Sequence, residues 1–296
     1  MHGSLFAPSF TQTIAVDSKE GLVPLAQSQG YNVLFRTGRV GLSALQDGAD
    51  DIIPSGVDGL DKLLHGGVPR GHSVIVEGPP GAGKTVFSFG FLFHGAVDKA
   101  EPGIYVTLEE SPVSIRRNMI RFGMSGEELE KKNMLAILDF SIYHGLPADL
   151  GEEERNAEFL ARAIARSVRD KAESIKAKRL VVDSLTAILD HYPETRRRAE
   201  FLNLLATLRY SGLTSFLLTE TPAHDQPNLV QSYLVDGNIM LRLVPSGSQG
   251  EMIRTVQIPK MRGLKHDFEI HPFQISDHGI VVFPDDRVYS GAQAVS

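Results

Sequence analysis

The run Gly78-Pro79-Pro80-Gly81-Ala82-Gly83-Lys84-Thr85 constrains this chain more than any other feature. It fits G-x-x-x-x-G-K-[ST], a loop whose glycines leave no Cβ between the backbone N–H groups and an anion. Its surroundings are those the loop requires. Ser73-Val74-Ile75-Val76-Glu77 reads as a buried strand running in, and Val86-Phe87-Ser88-Phe89-Gly90-Phe91-Leu92-Phe93 as an apolar helix running out. Lys84 is placed to put a positive charge on β- and γ-phosphates, and Thr85 to offer a hydroxyl to Mg2+. A nucleoside triphosphate is the expected ligand.

Strand and helix patterns alternate from Ile52 to Thr219, which argues for a mostly parallel sheet flanked by helices in an α/β fold. Buried strands are expected at Gly103–Leu108, Leu135–Asp139, Arg179–Asp183 and Thr214–Thr219. Ser55 is expected to cap a helix with Val57, Leu60 and Leu64 on one face, and Ser111-Pro112 to open another with Val113, Ile115, Met119, Ile120 and Phe122 as its apolar positions. A long amphipathic helix from about Glu153 to Lys176 buries Leu160, Ile164, Val168 and Ile175 and carries an arginine stripe, Arg155, Arg162, Arg166 and Arg169. A further helix, Glu194–Tyr210, buries Phe201, Leu205 and Leu208. Beyond it the pattern changes to a hairpin, Asn238–Val244 with Met252–Ile258, so the sheet gains antiparallel strands at its C-terminal end. Residues 1–51 have mixed patterning, with one candidate strand at Tyr31–Phe35. We take them as an N-terminal extension, 52–286 as the main domain and 287–296 as a tail.

Composition narrows the chemistry. There is no cysteine, which excludes disulfides, thiolate metal sites and a cysteine nucleophile. The ten histidines show no zinc-ligand spacing; His266 and His271 lack a second pair and fall in loop or strand-end positions. The formal charge of −6 gives no bulk attraction to nucleic acid. No apolar stretch is long enough to span a bilayer, and the N-terminus lacks a basic region followed by an apolar core, so a cytoplasmic location and no membrane partner are expected.

Around the phosphates, Asp183 follows Leu180-Val181-Val182 at the C-terminal end of a buried strand, where ligands of open α/β sheets bind. It is either the second anchor of the Mg2+ shell or a helix cap, a task Ser184 could share. Glu109 and Glu110 close the strand expected beside the P-loop strand. Either they supply a catalytic base with a supporting carboxylate, Glu109 as base and Glu110 as support, or they cap the next helix through its dipole. The guanine-selecting [NT]-K-x-D and the kinase signatures H-R-D and D-F-G are missing.

These motifs together resemble the KaiC family of RecA-like ATPases. Ile53-Pro54-Ser55-Gly56-Val57-Asp58-Gly59-Leu60-Asp61 through His65-Gly66-Gly67-Val68-Pro69-Arg70-Gly71 is similar to that family's lead-in to the P-loop. Tyr105-Val106-Thr107-Leu108-Glu109-Glu110-Ser111-Pro112 resembles its paired glutamates. Lys260-Met261-Arg262-Gly263, His266 and His271-Pro272-Phe273-Gln274-Ile275 resemble its closing strands. The resemblance spans about Ile52 to Pro284. It implies a hexameric ring with ATP between neighbours, in which Lys260 and Arg262 reach the γ-phosphate of the adjacent subunit. KaiC carries two such domains, whereas this chain has one P-loop. Where the phosphorylated half of KaiC has an adjacent Ser-Thr pair, Gln231-Ser232-Tyr233-Leu234-Val235-Asp236 keeps a serine, Ser232, and has Tyr233 for the threonine.

Three functions follow as expectations. The first is a Mg2+-dependent ATPase of a ring, acting in signalling or regulation with a possible regulatory protein partner. The second is a Ser/Thr autokinase acting on Ser232. The third is a RecA-like recombination or repair ATPase; it is disfavoured because Thr221–Ser232, the candidate DNA loop, has no Lys or Arg.

Overall fold

Apolar residues at nearly every position mark a strand buried on both faces, and the central strands of this chain are covered in that way. The computed structural model describes residues 22–24, 34–36, 52–141, 157–190, 192–221, 229–246 and 251–288. The chain divides into two units, Met1–Asp50 and Asp51–Ser296. The described part of the first is a short antiparallel pair, β1 (Leu22–Pro24) and β2 (Leu34–Arg36). The expected strand at Tyr31–Phe35 therefore overlaps β2, with Tyr31–Val33 outside the described residues. So are the rest of the extension, the start of the long helix with Arg155, most of the Thr221–Ser232 loop, the turn 247–250 and the tail from 289.

In the second unit β3 (Ile52–Ile53) pairs with β4 (Val68–Pro69) around the single turn of α1 (Leu60–Leu63). This helix starts later than expected. Ser55 does not cap it: its Oγ accepts the Val57 N–H, and Gly59 stands at the N-cap with φ 79°. Asp58 instead bridges to Val281, which pulls the segment before Leu60 out of helical geometry.

The main sheet comprises β5 (Ser73–Gly78), β6 (Gly103–Thr107), β7 (Leu135–Asp139), β8 (Arg179–Asp183), β9 (Thr214–Glu220), β10 (Gly237–Ser246), β11 (Glu251–Met261), β12 (His271–Ser276) and β13 (Gly279–Val282). Their order is β13-β12-β11-β10-β5-β9-β8-β6-β7. Strands β10 through β7 in that order run parallel, and β11, β12 and β13 add antiparallel. This is the expected fold class. One placement differs: β6, which carries Glu109 and Glu110 beyond its end, is not the neighbour of β5. Crossovers insert β9 and β8 between them.

Side chains alternate across the sheet with period two. Val74, Val76, Tyr105, Val181, Phe216 and Leu218 join one core with α2 (Lys84–Lys99). Ile75, Ile104, Val106, Leu180, Val182 and Leu217 join the other with α5 (Ala157–Ile175), α6 (Leu185–Leu189) and α7 (Glu194–Tyr210). Phe87 and Phe91 of α2 stack on Phe216, at centroid distances of 6.0 and 4.1 Å. Fully burying a phenylalanine contributes roughly 1.5–3 kcal/mol, so this cluster anchors α2, and with it the P-loop, to the sheet. Gly95 stands inside the continuous helix α2 for a packing reason: a Cβ there would stand 2.3 Å from Nε of the buried Arg179. Arg179 ties the base of the fold together through Glu101, the Pro54 carbonyl and the Phe91 carbonyl.

The remaining helices are α3 (Pro112–Ile120), α4 (Glu127–Lys131) and α8 (Leu229–Leu234). Ser111 caps α3 by accepting the Ser114 N–H. Two of its expected core positions are exposed, Val113 at 70% and Ile120 at 51%. Only Ile115 and Met119 are buried: they share one face of the helix, and Val113 and Ile120 fall on the opposite one. Among the described residues no helix is long and apolar enough to cross a membrane.

Candidate active site

The C-terminal ends of the parallel strands meet at a cleft of about 380 Å³. The P-loop follows β5 here. Gly81 and Gly83 have φ of 78° and 102°, a region that L side chains rarely adopt. Gly78 faces a second constraint: a Cβ would approach the Leu241 carbonyl oxygen to 2.5 Å. The loop is therefore a cradle that only glycine permits at these positions. It opens into the N-terminus of α2, where the backbone N–H groups carry partial positive charge.

Lys84 folds over the loop. Its Nζ donates to the Gly78 carbonyl at 2.9 Å and the Pro79 carbonyl at 3.2 Å, and lies 3.6 Å from Glu220 Oε1. Thr85 Oγ1 donates to Asp183 Oδ2 at 2.9 Å. The same oxygen accepts the Tyr105 hydroxyl at 2.5 Å. Burial pushes the Asp183 carboxyl above its ordinary value; the hydrogen bonds from Tyr105 and Thr85 oppose that shift, and nearby Glu109 adds to it. Burial, with the Asp183 charge beside it, also drives the Tyr105 hydroxyl well above the usual phenol range, so it remains a donor. Asp183 does not cap α6. Ser184 does, accepting the Ala187 N–H at 3.2 Å.

Glu109 and Glu110 both line the cleft, and their carboxylates diverge. Glu109 Oε1 accepts from Ser184 Oγ at 2.5 Å, and Glu110 Oε2 accepts from Asn118 Nδ2 at 3.3 Å. The structure thus brings Pro80, Gly81, Gly83, Lys84, Thr85, Glu109, Glu110 and Asp183 to one cleft. Ala82 is buried beside it.

Lys260 and Arg262 lie elsewhere, at the C-terminal end of α8. Lys260 Nζ donates to the carbonyls of Ser232, Tyr233 and Val235 at 2.9, 3.1 and 2.8 Å. Arg262 Nη2 donates to the Tyr233 carbonyl at 3.1 Å, and its Nη1 is 3.5 Å from Asp236. Cations gathered on terminal helix carbonyls are a favourable local arrangement. Burial and the neighbouring Arg262 lower the Lys260 ammonium below the usual lysine range. Ser232 Oγ accepts from Asn238 Nδ2 at 3.1 Å, and Asn238 also holds Glu77, next to Gly78.

Sequence reasoning missed four contributors: Glu220, Tyr105, Ser184 and Ile275. Glu220 carried the signal that identified Asp183, a carboxylate closing a buried strand. Ser184 was read only as a possible cap. Tyr105 lies inside a strand and Ile275 on a distant one; both stand in segments that carry the family resemblance, but nothing local gives either a role in the cleft.

The donor set suits a hard divalent cation with a polyphosphate: a hydroxyl and a carboxylate 2.9 Å apart beside a backbone cradle and a lysine. Residues 53–287 match the KaiC ATPase family. The chain is 36% identical over 249 residues to a UPF0273 protein of Pyrococcus horikoshii, covering 81% of this chain and 96% of that one. It is 36% identical over 236 residues to the circadian clock oscillator protein KaiC of Prochlorococcus marinus, covering 78% of this chain and 46% of that one. A crystal structure of a KaiC-like protein from Pyrococcus horikoshii superposes with a TM-score of 0.67 at 35% identity, covering 79% of this chain and 99% of that chain. The chain belongs to the KaiC ATPase family, and its main domain is a P-loop ATPase domain of KaiC-like, RecA-type fold.

Proposed function

We propose that this protein is a Mg2+-dependent ATPase that hydrolyses ATP at the subunit interfaces of a homohexameric ring, serving a signalling or regulatory role in the cytoplasm. The observation that carries the reading is the convergence of Lys84, Thr85, Asp183 and Glu109 on one cleft. The P-loop backbone and Lys84 would bind the phosphates, Lys84 turning from Glu220 and the loop carbonyls toward the γ-phosphate. Thr85 and Asp183 would hold the magnesium ion, which supplies charge neutralisation for the phosphate oxygens. Glu109, aimed by Ser184, takes the proton of the attacking water, and Glu110 supports it.

The cleft contains one side-chain cation, Lys84, among its described lining residues. Phosphoryl transfer gains greatly from a second cation delivered in trans. Lys260 and Arg262, away from their own cleft, fit that role for the adjacent subunit. The autokinase reading puts the acceptor at Ser232, and the DNA reading uses a loop that lies mostly outside the described residues. One incubation with ATP and Mg2+ separates the three. Phosphate release that Glu109→Gln abolishes, without phosphate on Ser232 and without stimulation by DNA, is the expected result. Undiminished turnover by Glu109→Gln would remove Glu109 from the mechanism.

A further inference from the structure

Away from the nucleotide cleft, the segment leading into β12 brings Asp267, Glu269 and His271 together, with one ligand atom from each lying within 4.8 Å of the others. The imidazole is the informative member. His271 is 1% exposed, and its Nδ1 lies 2.7 Å from the Asp286 carbonyl oxygen. A carbonyl only accepts, so Nδ1 carries the proton. That leaves Nε2 buried, aimed at the cluster and without a hydrogen-bond partner among the described residues. The nearest carboxylate oxygen, Asp267 Oδ1, is 3.6 Å away, beyond hydrogen-bond reach.

We propose that Asp267, Glu269 and His271 form a binding site for a divalent transition-metal cation of the zinc class, separate from the nucleotide site. Three arguments support this. A histidine whose Nδ1–H is fixed on a backbone carbonyl presents Nε2 in the tautomer and orientation that metal ligation uses. Two ligands held about 2.0–2.1 Å from a tetrahedral zinc stand about 3.3 Å apart, close to the 3.6 Å between Nε2 and Oδ1. One imidazole with two carboxylates selects zinc-like ions over magnesium and calcium, which prefer oxygen alone. Asp267 and Glu269 are only partly buried, so the cluster is open to solvent on their side. The Asp267 carboxylate is already oriented, accepting the Glu269 N–H at 2.8 Å.

Arg287 makes the proposal specific. Its guanidinium pairs with Glu269 and so competes with a metal for that carboxylate. Removing it should tighten metal binding, whereas in a purely structural ion-pair cluster its removal would only weaken the fold.

The test uses the full chain, stripped with chelator and free of nucleotide, titrated with Zn2+ by calorimetry and with Co2+ by visible absorption. One equivalent is expected to bind. Asp267→Asn and Glu269→Gln, both at partly exposed positions, should each weaken binding by at least about tenfold, while Arg287→Ala tightens it several-fold. Asp267→Asn should retain the circular dichroism spectrum and the phosphate release of the parent. No saturable binding, or binding equal in Asp267→Asn and the parent, would overturn the proposal. So would Arg287→Ala weakening binding along with the fold.

Discussion

Ser184 Oγ donates to Glu109 Oε1 across 2.5 Å while accepting the Ala187 N–H at 3.2 Å. One hydroxyl caps α6 and aims the carboxylate assigned as base. Ser184→Ala should lower kcat about tenfold, part of the 10²–10⁴ that a positioned base contributes, with KM for ATP unchanged. Ser184→Thr keeps both bonds and should keep most of the rate. Steady-state kinetics decide it: a Ser184→Ala enzyme with parental kcat would leave the hydroxyl only its capping role.

Lys84 is nearly buried between two loop carbonyls and Glu220. Truncating a buried charge that would pair with phosphate costs about 2–5 kcal/mol. Lys84→Ala should therefore weaken nucleotide binding by roughly two orders of magnitude or more, measured with a fluorescent ATP analogue. A change of less than about threefold would contradict the assignment.

Gly78 meets the Leu241 carbonyl, a backbone group that cannot swing aside. Gly78→Ala should destabilise the domain by about 1–3 kcal/mol and distort the loop enough to abolish nucleotide binding. Denaturant unfolding and the same fluorescence assay measure the two effects.

The raised Asp183 carboxyl has a sign that can be tested. A group whose folded value exceeds its unfolded value contributes stability that is fully present below the unfolded value, here 3.8. That contribution is lost as pH rises through the folded value. The nucleotide-free protein therefore bears a cost for the buried carboxylate at neutral pH. Asp183→Asn, which can still accept from Thr85 and Tyr105, should raise the nucleotide-free Tm at pH 7.5, with the gain vanishing as pH falls toward 4. It should also abolish the extra stabilisation that Mg2+ adds to ATP. A Tm gain independent of pH would contradict the burial argument.

Much of this is legible in the sequence. The P-loop is local and its glycines have one physical reason, and the central strands read as near-continuous apolar runs because both faces are covered. What stayed hidden depended on topology or long-range contact. Glu109 and Glu110 reach the cleft from a strand two places further from β5 than expected, because crossover order is not written in local periodicity. Val113 and Ile120 show that an apolar residue on a short helix need not be buried. The α1 start at Leu60 is set by a bridge from Asp58 to Val281, far away in sequence. His271 lacked a second histidine at metal spacing, and only the fold shows its Nε2 facing two carboxylates.

In the proposed ring each active site is shared between two subunits. Glu109 stands in the cleft, and Lys260 and Arg262 stand outside it. The measurement is phosphate release by two variants, alone and co-assembled. Lys260→Ala/Arg262→Ala protein and Glu109→Gln protein should each be nearly inactive. Mixed in equal amounts and reassembled with ATP, they should recover a substantial part of the parental rate, because some interfaces then pair an intact glutamate with an intact pair of cations. A mixture no more active than its components, or a parent that turns over at full rate while light scattering finds only monomers, would contradict the claim.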